Sequence, residues 1–119
     1  MAKILITGGA GFIGSQLGFC LDAQGHKVIL LDNMSYGRLD NLLIDEKFFG
    51  NFIGMDIRSK KIFEIMRDID YVFHFAGIAP LPDCQSDPYR AMDINVSGTA
   101  NILEAARFNG VKRVIFSST

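Results

Sequence analysis

The feature that most narrows what this chain can fold into stands at its start. Lys3-Ile4-Leu5-Ile6 runs directly into Thr7-Gly8-Gly9-Ala10-Gly11-Phe12-Ile13-Gly14. A short apolar, β-branched run reads as a fully buried strand. Gly8, Gly11 and Gly14 recur every third residue, which suits a backbone that turns sharply, approaches a diphosphate closely and then opens a helix. From Phe12 to Gln24 the apolar residues Ile13, Leu17, Cys20 and Leu21 return at helical spacing. Gly25 then stands where a C-terminal cap belongs.

The remainder repeats this alternation. Lys27 to Asp32 is a second buried strand closed by an acid, followed by loop chemistry at Asn33-Met34-Ser35-Tyr36-Gly37. The pattern predicts a short helix over 39–47 with Leu42 and Leu43 inward. It predicts a third strand over 51–57, a short helix over 60–67 and a fourth, aromatic strand over 71–77. Pro80 and Pro82 mark 78–85 as a loop. Ser86-Asp87-Pro88 starts a long helix reaching Phe108, with Met92, Val96, Ile102, Leu103 and Ala106 on its apolar face. A fifth strand covers 112–118.

Five apolar strands alternating with helices, each strand covered on both faces, imply an α/β fold: a doubly wound parallel sheet in one domain. Right-handed crossovers bring the C-terminal ends of all strands to one edge, where a ligand sits at the switch point. Thr7, Asp32, Asp56, Ala76 and Ser117 meet there. A glycine triplet alone is weak evidence. Here it follows a strand, opens a helix and has Asp32 at the end of the next strand, which is the context a dinucleotide fingerprint requires. The Asp32 carboxylate can accept from both hydroxyls of an adenosine ribose and repels a 2′-phosphate, so NAD is favoured over NADP. Arg38 keeps NADP in play, since it could reach the same region. Asp56 can accept from an adenine amino group while Ile57 offers its backbone.

Composition sets limits. The 119 residues are 49% apolar and 21% charged, enough for a real core, and the net charge of −1 gives no electrostatic reason for a nucleic acid or anionic membrane partner. Cys20 and Cys84 have neither metal nor disulfide spacing and read as buried or incidental thiols, in keeping with a cytoplasmic protein. No metal site is indicated. No apolar run approaches the ~18 residues of a membrane span. His74, inside a strand among aromatics, reads as a packed core residue, and Asp93 as a solvated acid.

In order, Thr-Gly-Gly-Ala-Gly-Phe-Ile-Gly-Ser (7–15), Asp32-Asn33, Asp56-Ile57, His74-Phe75-Ala76-Gly77, Asp93-Ile94-Asn95-Val96-Ser97-Gly98-Thr99 and Phe116-Ser117-Ser118-Thr119 resemble the extended short-chain dehydrogenase/reductases. The nearest branch is the NAD-dependent nucleotide-sugar epimerase/dehydratase family. The resemblance covers the whole chain and implies a Rossmann fold, with roles position by position. Gly8, Gly11, Phe12, Ile13 and Gly14 would surround the pyrophosphate. Asp32 would hold the adenosine ribose with Asn33 and Ser35 nearby, and Asp56 and Ile57 would flank the adenine. Phe75, Ala76 and Gly77 would line the path to the nicotinamide ribose, with Asn95 behind the site and Ser117 near the nicotinamide. Thr119 matches the catalytic Ser/Thr that bonds the reacting sugar hydroxyl.

The family's chemistry is transient hydride transfer at a sugar carbon, usually C4. A tyrosine removes the hydroxyl proton, and a lysine four residues later lowers its pKa from about 10. Four residues beyond Tyr36, Tyr71 and Tyr89 stand Asp40, Phe75 and Asp93, so no such pair occurs here. The resemblance therefore implies that residues 1–119 are the N-terminal part of an NAD(P)-binding domain. Its substrate-binding C-terminal part is absent, the chain is inactive by itself, and its final strand forms an uncovered edge prone to self-association. The whole enzyme is expected to be a homodimer acting on a nucleotide sugar. The competing readings are a non-catalytic NAD(P) sensor on the same fold and another reductase of the extended group.

Overall fold

The computed structural model describes residues 1–118. Five strands form one sheet: β1 (Lys3–Thr7), β2 (Lys27–Asp32), β5 (Asn51–Gly54), β6 (Tyr71–His74) and β7 (Arg113–Phe116). Their spatial order is β5-β2-β1-β6-β7, and every neighbouring pair is parallel. The chain winds outward from β1 to β5, then crosses back to lay β6 on the other side of β1. The switch point therefore lies between the ends of β1 and β6, at Thr7 and His74. This is the doubly wound sheet the strand pattern implies, although the third, fourth and fifth strands are shorter than their apolar runs.

Each face of the sheet carries its own core. Alternate residues of a strand point to opposite sides. Leu5, Leu31 and Val72 meet Ile62 and Met66, at the start of and just after α2 (Ile62–Ile65), together with Ile102 of a later helix. Ile4, Ile6, Val28 and Leu30 form the other cluster with Leu42 and Phe49. The helix α1 (Phe12–Ala23) covers this second side through Gly14, Ser15 and Gly18, its buried residues. Of the apolar positions expected at helical spacing, Leu17 and Leu21 are half-buried against this core, whereas Ile13 and Cys20 are exposed.

Two local expectations change. Residues 39–47 are not a helix. A 3-10 turn (Leu39–Leu42) leads into a small hairpin of β3 (Leu43–Ile44) and β4 (Lys47–Phe48). Its turn residues Asp45 and Glu46 both have positive φ, the backbone of a two-residue hairpin loop. Residues 78–85 are not all loop, because α3 spans Leu81–Ser86. Pro82 sits in its first turn, where a missing N–H is no loss.

The long helix is present, as α4 (Pro88–Met92), a π-helical stretch (Asp93–Gly98) and α5 (Thr99–Phe108), with Asp87 accepting from the Arg90 amide at 3.1 Å as its cap. Its inner face holds Ala91, Ile94, Gly98, Ile102, Ala105 and Ala106. Met92, Val96 and Leu103, expected inside, are exposed. Both cysteines are free, Cys20 exposed and Cys84 half-buried on α3. No helix among the described residues is long and apolar enough to cross a membrane.

Candidate functional site

A cleft open to solvent lies at the C-terminal edge of the sheet over the switch point. Its floor begins at the glycine turn, which contributes Gly8 and Gly11. Gly8 has φ +67°, and a Cβ there would lie 2.9 Å from the Ala76 nitrogen, so the turn rests directly on the end of β6. A Cβ on Gly14 would lie 2.3 Å from the Gly8 carbonyl oxygen. Only a residue without one lets α1 start this close to the turn. No side chain caps α1, and its first bond into the turn runs from the Ser15 amide to the Gly11 carbonyl at 3.0 Å. The amides of the first turn are thus left for an anion, at the positive end of the helix dipole.

Asp32 closes β2 and is only 8% exposed. Its Oδ2 accepts from the Ala10 amide at 3.0 Å and its Oδ1 from the Met34 amide at 2.8 Å. A carboxylate offers about four acceptor positions, so about two remain for a pair of vicinal hydroxyls. Beside it Asn33, Ser35, Tyr36 and Gly37 line the cleft. Asn33 uses its own Oδ1 to accept from the Ser35 amide at 3.0 Å. Tyr36 donates to Asp83 Oδ2 at 2.5 Å and ties this loop to α3, a bond that raises the phenol's pKa.

Past β5, Met55, Asp56 and Ile57 line the same space. Asp93 is exposed, as expected of a solvated acid, and it also pairs with Arg58 at 2.6 Å, while Arg58 pairs with Asp56 at 2.7 Å. The Arg58 hydrogen bonds to Asp56 hold that carboxyl below its ordinary range.

Past β6 come Phe75, Ala76, Gly77 and Ile78. Thr7 Oγ1 accepts from the amides of Phe75 at 3.1 Å and Ala76 at 3.2 Å. Its own proton therefore points to His74 Nδ1, 2.6 Å away, and the imidazole carries its hydrogen on Nε2, which donates to Thr99 Oγ1 at 2.9 Å. His74 is 1% exposed, and burial pushes its pKa down to about 4. It is a neutral core residue, as its aromatic surroundings suggest. Asn95 clasps the next residue from the π-helical stretch: Oδ1 accepts from the Ile78 amide at 2.7 Å and Nδ2 donates to the Ile78 carbonyl at 2.9 Å.

Ten of the residues expected at a cofactor site thus face one cleft: Gly8, Gly11, Asp32, Asn33, Ser35, Asp56, Ile57, Phe75, Ala76 and Gly77. Phe12, Ile13 and Gly14 form the helix start beside it, and Asn95 stands behind it. Ser117 lies just beyond β7, exposed, its amide donating to the His74 carbonyl at 3.4 Å. Thr119 lies outside the described residues.

Arg38 does not face the cleft but pairs with Asp40 at 3.3 Å. The cation that lines the cleft is Arg90, joined by Ile94 one helical turn on. Neither was anticipated. The available signal was position: a helix that starts at this edge of the sheet places its first turns beside the crevice. Among the described residues no group of three His, Cys, Asp or Glu could hold a metal ion.

A parallel doubly wound sheet with an uncapped glycine-turn helix and a buried, cleft-facing acid at the next strand's end defines a dinucleotide-binding α/β domain. The residues fit a dinucleotide in particular: an anion site at the helix start lies one strand away from free carboxylate acceptors. The chain belongs to the NAD dependent epimerase/dehydratase family, whose family model matches residues 4–119. It is 39% identical to a UDP-glucose 4-epimerase of Klebsiella pneumoniae, over 98% of this chain and 88% of that protein. With a UDP-glucose 4-epimerase of Streptomyces lividans it shares 36% identity over 98% of this chain and 36% of the relative.

Solved structures agree. UDP-glucose-4-epimerase from Stenotrophomonas maltophila, with bound NAD and formylated UDP-arabinopyranose, matches at TM-score 0.91 and 31% identity, over 100% of this chain and 37% of that one. The dTDP-glucose 4,6-dehydratase DesIV from Streptomyces venezuelae, with NAD bound, matches at 0.85 and 33%, over 94% and 38%. In the last three, this chain spans 36–38% of the relative's length.

Proposed function

We propose that this chain is the NAD-binding part of a nucleotide-sugar epimerase or dehydratase that works by transient hydride transfer at the sugar, at C4. The observation that carries the reading is Asp32, buried at the cleft with each oxygen held by one backbone amide and further acceptor positions free. Bound NAD would supply a reversible hydride acceptor. The first-turn amides of α1, with Gly8, Gly11 and Gly14, hold the pyrophosphate. Asp32, Asn33 and Ser35 hold the adenosine ribose, and Asp56 and Ile57 the adenine. Phe75, Ala76 and Gly77 line the path to the nicotinamide ribose, kept in place by Asn95 through Ile78. Ser117 serves the nicotinamide and Thr119 the reacting sugar hydroxyl. NAD is preferred to NADP because a 2′-phosphate would meet Asp32 while Arg38 is turned to Asp40.

We assign residues 1–119 to the N-terminal part of the Rossmann domain, and sugar binding to residues outside them. The 119 residues hold no tyrosine followed four later by lysine. No turnover is expected from them alone, and specific turnover of UDP-glucose or UDP-galactose by the purified chain would overturn that. The whole enzyme is read as a cytoplasmic homodimer. In support, Tyr89, Met92, Val96 and Leu103 form an exposed apolar stripe along the solvent face of the long helix, and such a stripe suits a second copy. Calorimetric titration with NAD and NADP is the direct test. NAD should bind more tightly, and Asp32→Ala should weaken it at least about tenfold, the worth of hydrogen bonds to a charged acceptor. Tighter binding of NADP would refute the Asp32 argument.

A further inference from the structure

Asp56 has a more constrained carboxylate than Asp32. Arg58 donates to it three times: its backbone amide to Oδ1 at 2.8 Å, Nε to Oδ1 at 3.0 Å and Nη2 to Oδ2 at 2.7 Å. The remaining guanidinium nitrogen, Nη1, reaches Asp93 Oδ2 on the π-helical stretch at 2.6 Å. The same segment is seated on the long helix by two further contacts. Asn101 Nδ2 donates to the carbonyls of Ile57 at 2.8 Å and Ser59 at 3.0 Å. The buried Ile57 lies so close to Gly98 that a Cβ there would come within 2.5 Å of its Cδ1. The segment and the direction of its carboxylate are therefore fixed from two sides.

Each carboxylate oxygen has about two acceptor positions. Both on Oδ1 are filled, and one of the two on Oδ2. The bidentate guanidinium also fixes the plane of the carboxylate. We propose that Arg58 is a positioning residue: by occupying three acceptor positions of Asp56 it leaves one, on Oδ2, and so makes the adenine end of the cleft selective for a base with an exocyclic amino group over one with an oxo group at the same place. This rests on the dinucleotide reading above. An amino hydrogen completes the set of four. An oxo oxygen presents acceptor to acceptor at a site with no freedom to turn, and a buried or half-buried mismatch of that kind is strongly disfavoured. With Arg58 removed, the Asp56 carboxylate gains free positions, can rotate toward solvent and loses its bias.

The test is calorimetric titration of the full 119-residue chain with NAD and with nicotinamide hypoxanthine dinucleotide, which differ at that amino group. Wild type should prefer NAD by about tenfold, one hydrogen bond to a charged acceptor. Arg58→Gln should reduce the preference to below about threefold, and Arg58→Lys should fall between. A weakening of both dinucleotides by the same factor would mean that Arg58 merely supports the loop, and it overturns the proposal, as does an unchanged ratio. If Arg58→Gln does not fold by circular dichroism, the ratio in Arg58→Lys decides alone. Asp93→Asn, which leaves the Asp56 fork in place, should keep the wild-type ratio, and its collapse there would count against the assignment. A wild type that binds both dinucleotides equally sinks this inference but leaves the NAD reading standing. Binding of neither removes both.

Discussion

Lowering the pH should loosen the switch point before it affects the carboxylates elsewhere in the chain. His74 is neutral in the fold, with Nδ1 accepting from Thr7 and Nε2 donating to Thr99. Burial pushes its pKa from 6.5 to about 4. A histidine depressed in the folded state contributes stability that is fully present above the unfolded pKa and lost as pH falls toward the folded one, because the unfolded chain binds the proton first. The window is therefore pH 6.5 down to about 4. Taking those two values, the loss between pH 7 and pH 5 comes to about 2 kcal/mol. That is a large part of the roughly 5–15 kcal/mol by which domains of this size are stable.

The depressed carboxyls of Asp56, Asp70 and Glu104 act lower: their stabilisation fades only below their ordinary values of 3.8, 3.8 and 4.5. Above pH 4.5 the two effects thus separate. Urea unfolding at pH 7, 6 and 5, for wild type and His74→Gln, measures the first. Glutamine keeps an acceptor for Thr7 and a donor for Thr99 but does not titrate. Its stability at pH 7 should fall by about 1–3 kcal/mol from imperfect fit, yet its slope between pH 7 and 5 should be nearly flat. Parallel curves for the two proteins would refute the assignment of the acid loss to His74.

Other perturbations follow from single contacts. Gly14→Ala should destabilise by about 1–3 kcal/mol in urea unfolding and weaken NAD in calorimetry, because its Cβ would meet the Gly8 carbonyl oxygen and push the helix start off the turn. Asn95→Ala leaves the Ile78 amide and carbonyl without their partner and should cost about 1–3 kcal/mol. Asp87→Ala removes the cap of the long helix and should cost about 1 kcal/mol with NAD affinity unchanged. Val96→Lys should leave thermal stability near wild type and abolish any dimer of the chain seen by analytical ultracentrifugation, whereas a dimer that persists places the interface elsewhere.

The sheet was legible because its strands are short, apolar and β-branched, and because glycine turns and acids punctuate their ends. Gly8, Asp32 and Asp56 could be placed at one crevice from strand order alone. The hairpin at β3 and β4 was hidden by length: two residues per strand give no periodicity, and Asp45-Glu46 is an uncommon pair for positive φ. The helix α3 was hidden by Pro80 and Pro82, which break a helix interior but are tolerated at its start. In the site, the sequence pattern named the residues on the strand ends and the glycine turn. It missed Arg90 and Ile94, whose approach to the cleft depends on the angle at which the long helix leaves it.

The misplaced apolar residues of α1 and the long helix have a common cause. Where a helix must lie close to the sheet, its inner face is built from residues with little or no side chain. On α1 these are Gly14, Ser15 and Gly18, and a Cβ on Gly18 would lie 2.6 Å from Leu30 Cδ2. On the long helix they are Ala91, Gly98, Ala105 and Ala106, interleaved with Ile94 and Ile102. Some large apolar residues then fall on the outer face, and a search for hydrophobics at helical spacing selects Met92, Val96 and Leu103 on the outside along with Ile102 and Ala106, which are buried. The close approach also serves the site. It brings Asn95 within reach of Ile78, Thr99 within reach of His74, and Asp93 and Asn101 within reach of the Arg58 segment. A larger residue at Gly98 would part all four contacts together, so Gly98→Val should disturb the cleft both at residues 56–59 and at Ile78. The measurement is hydrogen exchange, with protection lost at the Ile78 amide and at residues 56–59 in concert. Loss confined to residues 56–59 would show that the long helix does not couple the two regions.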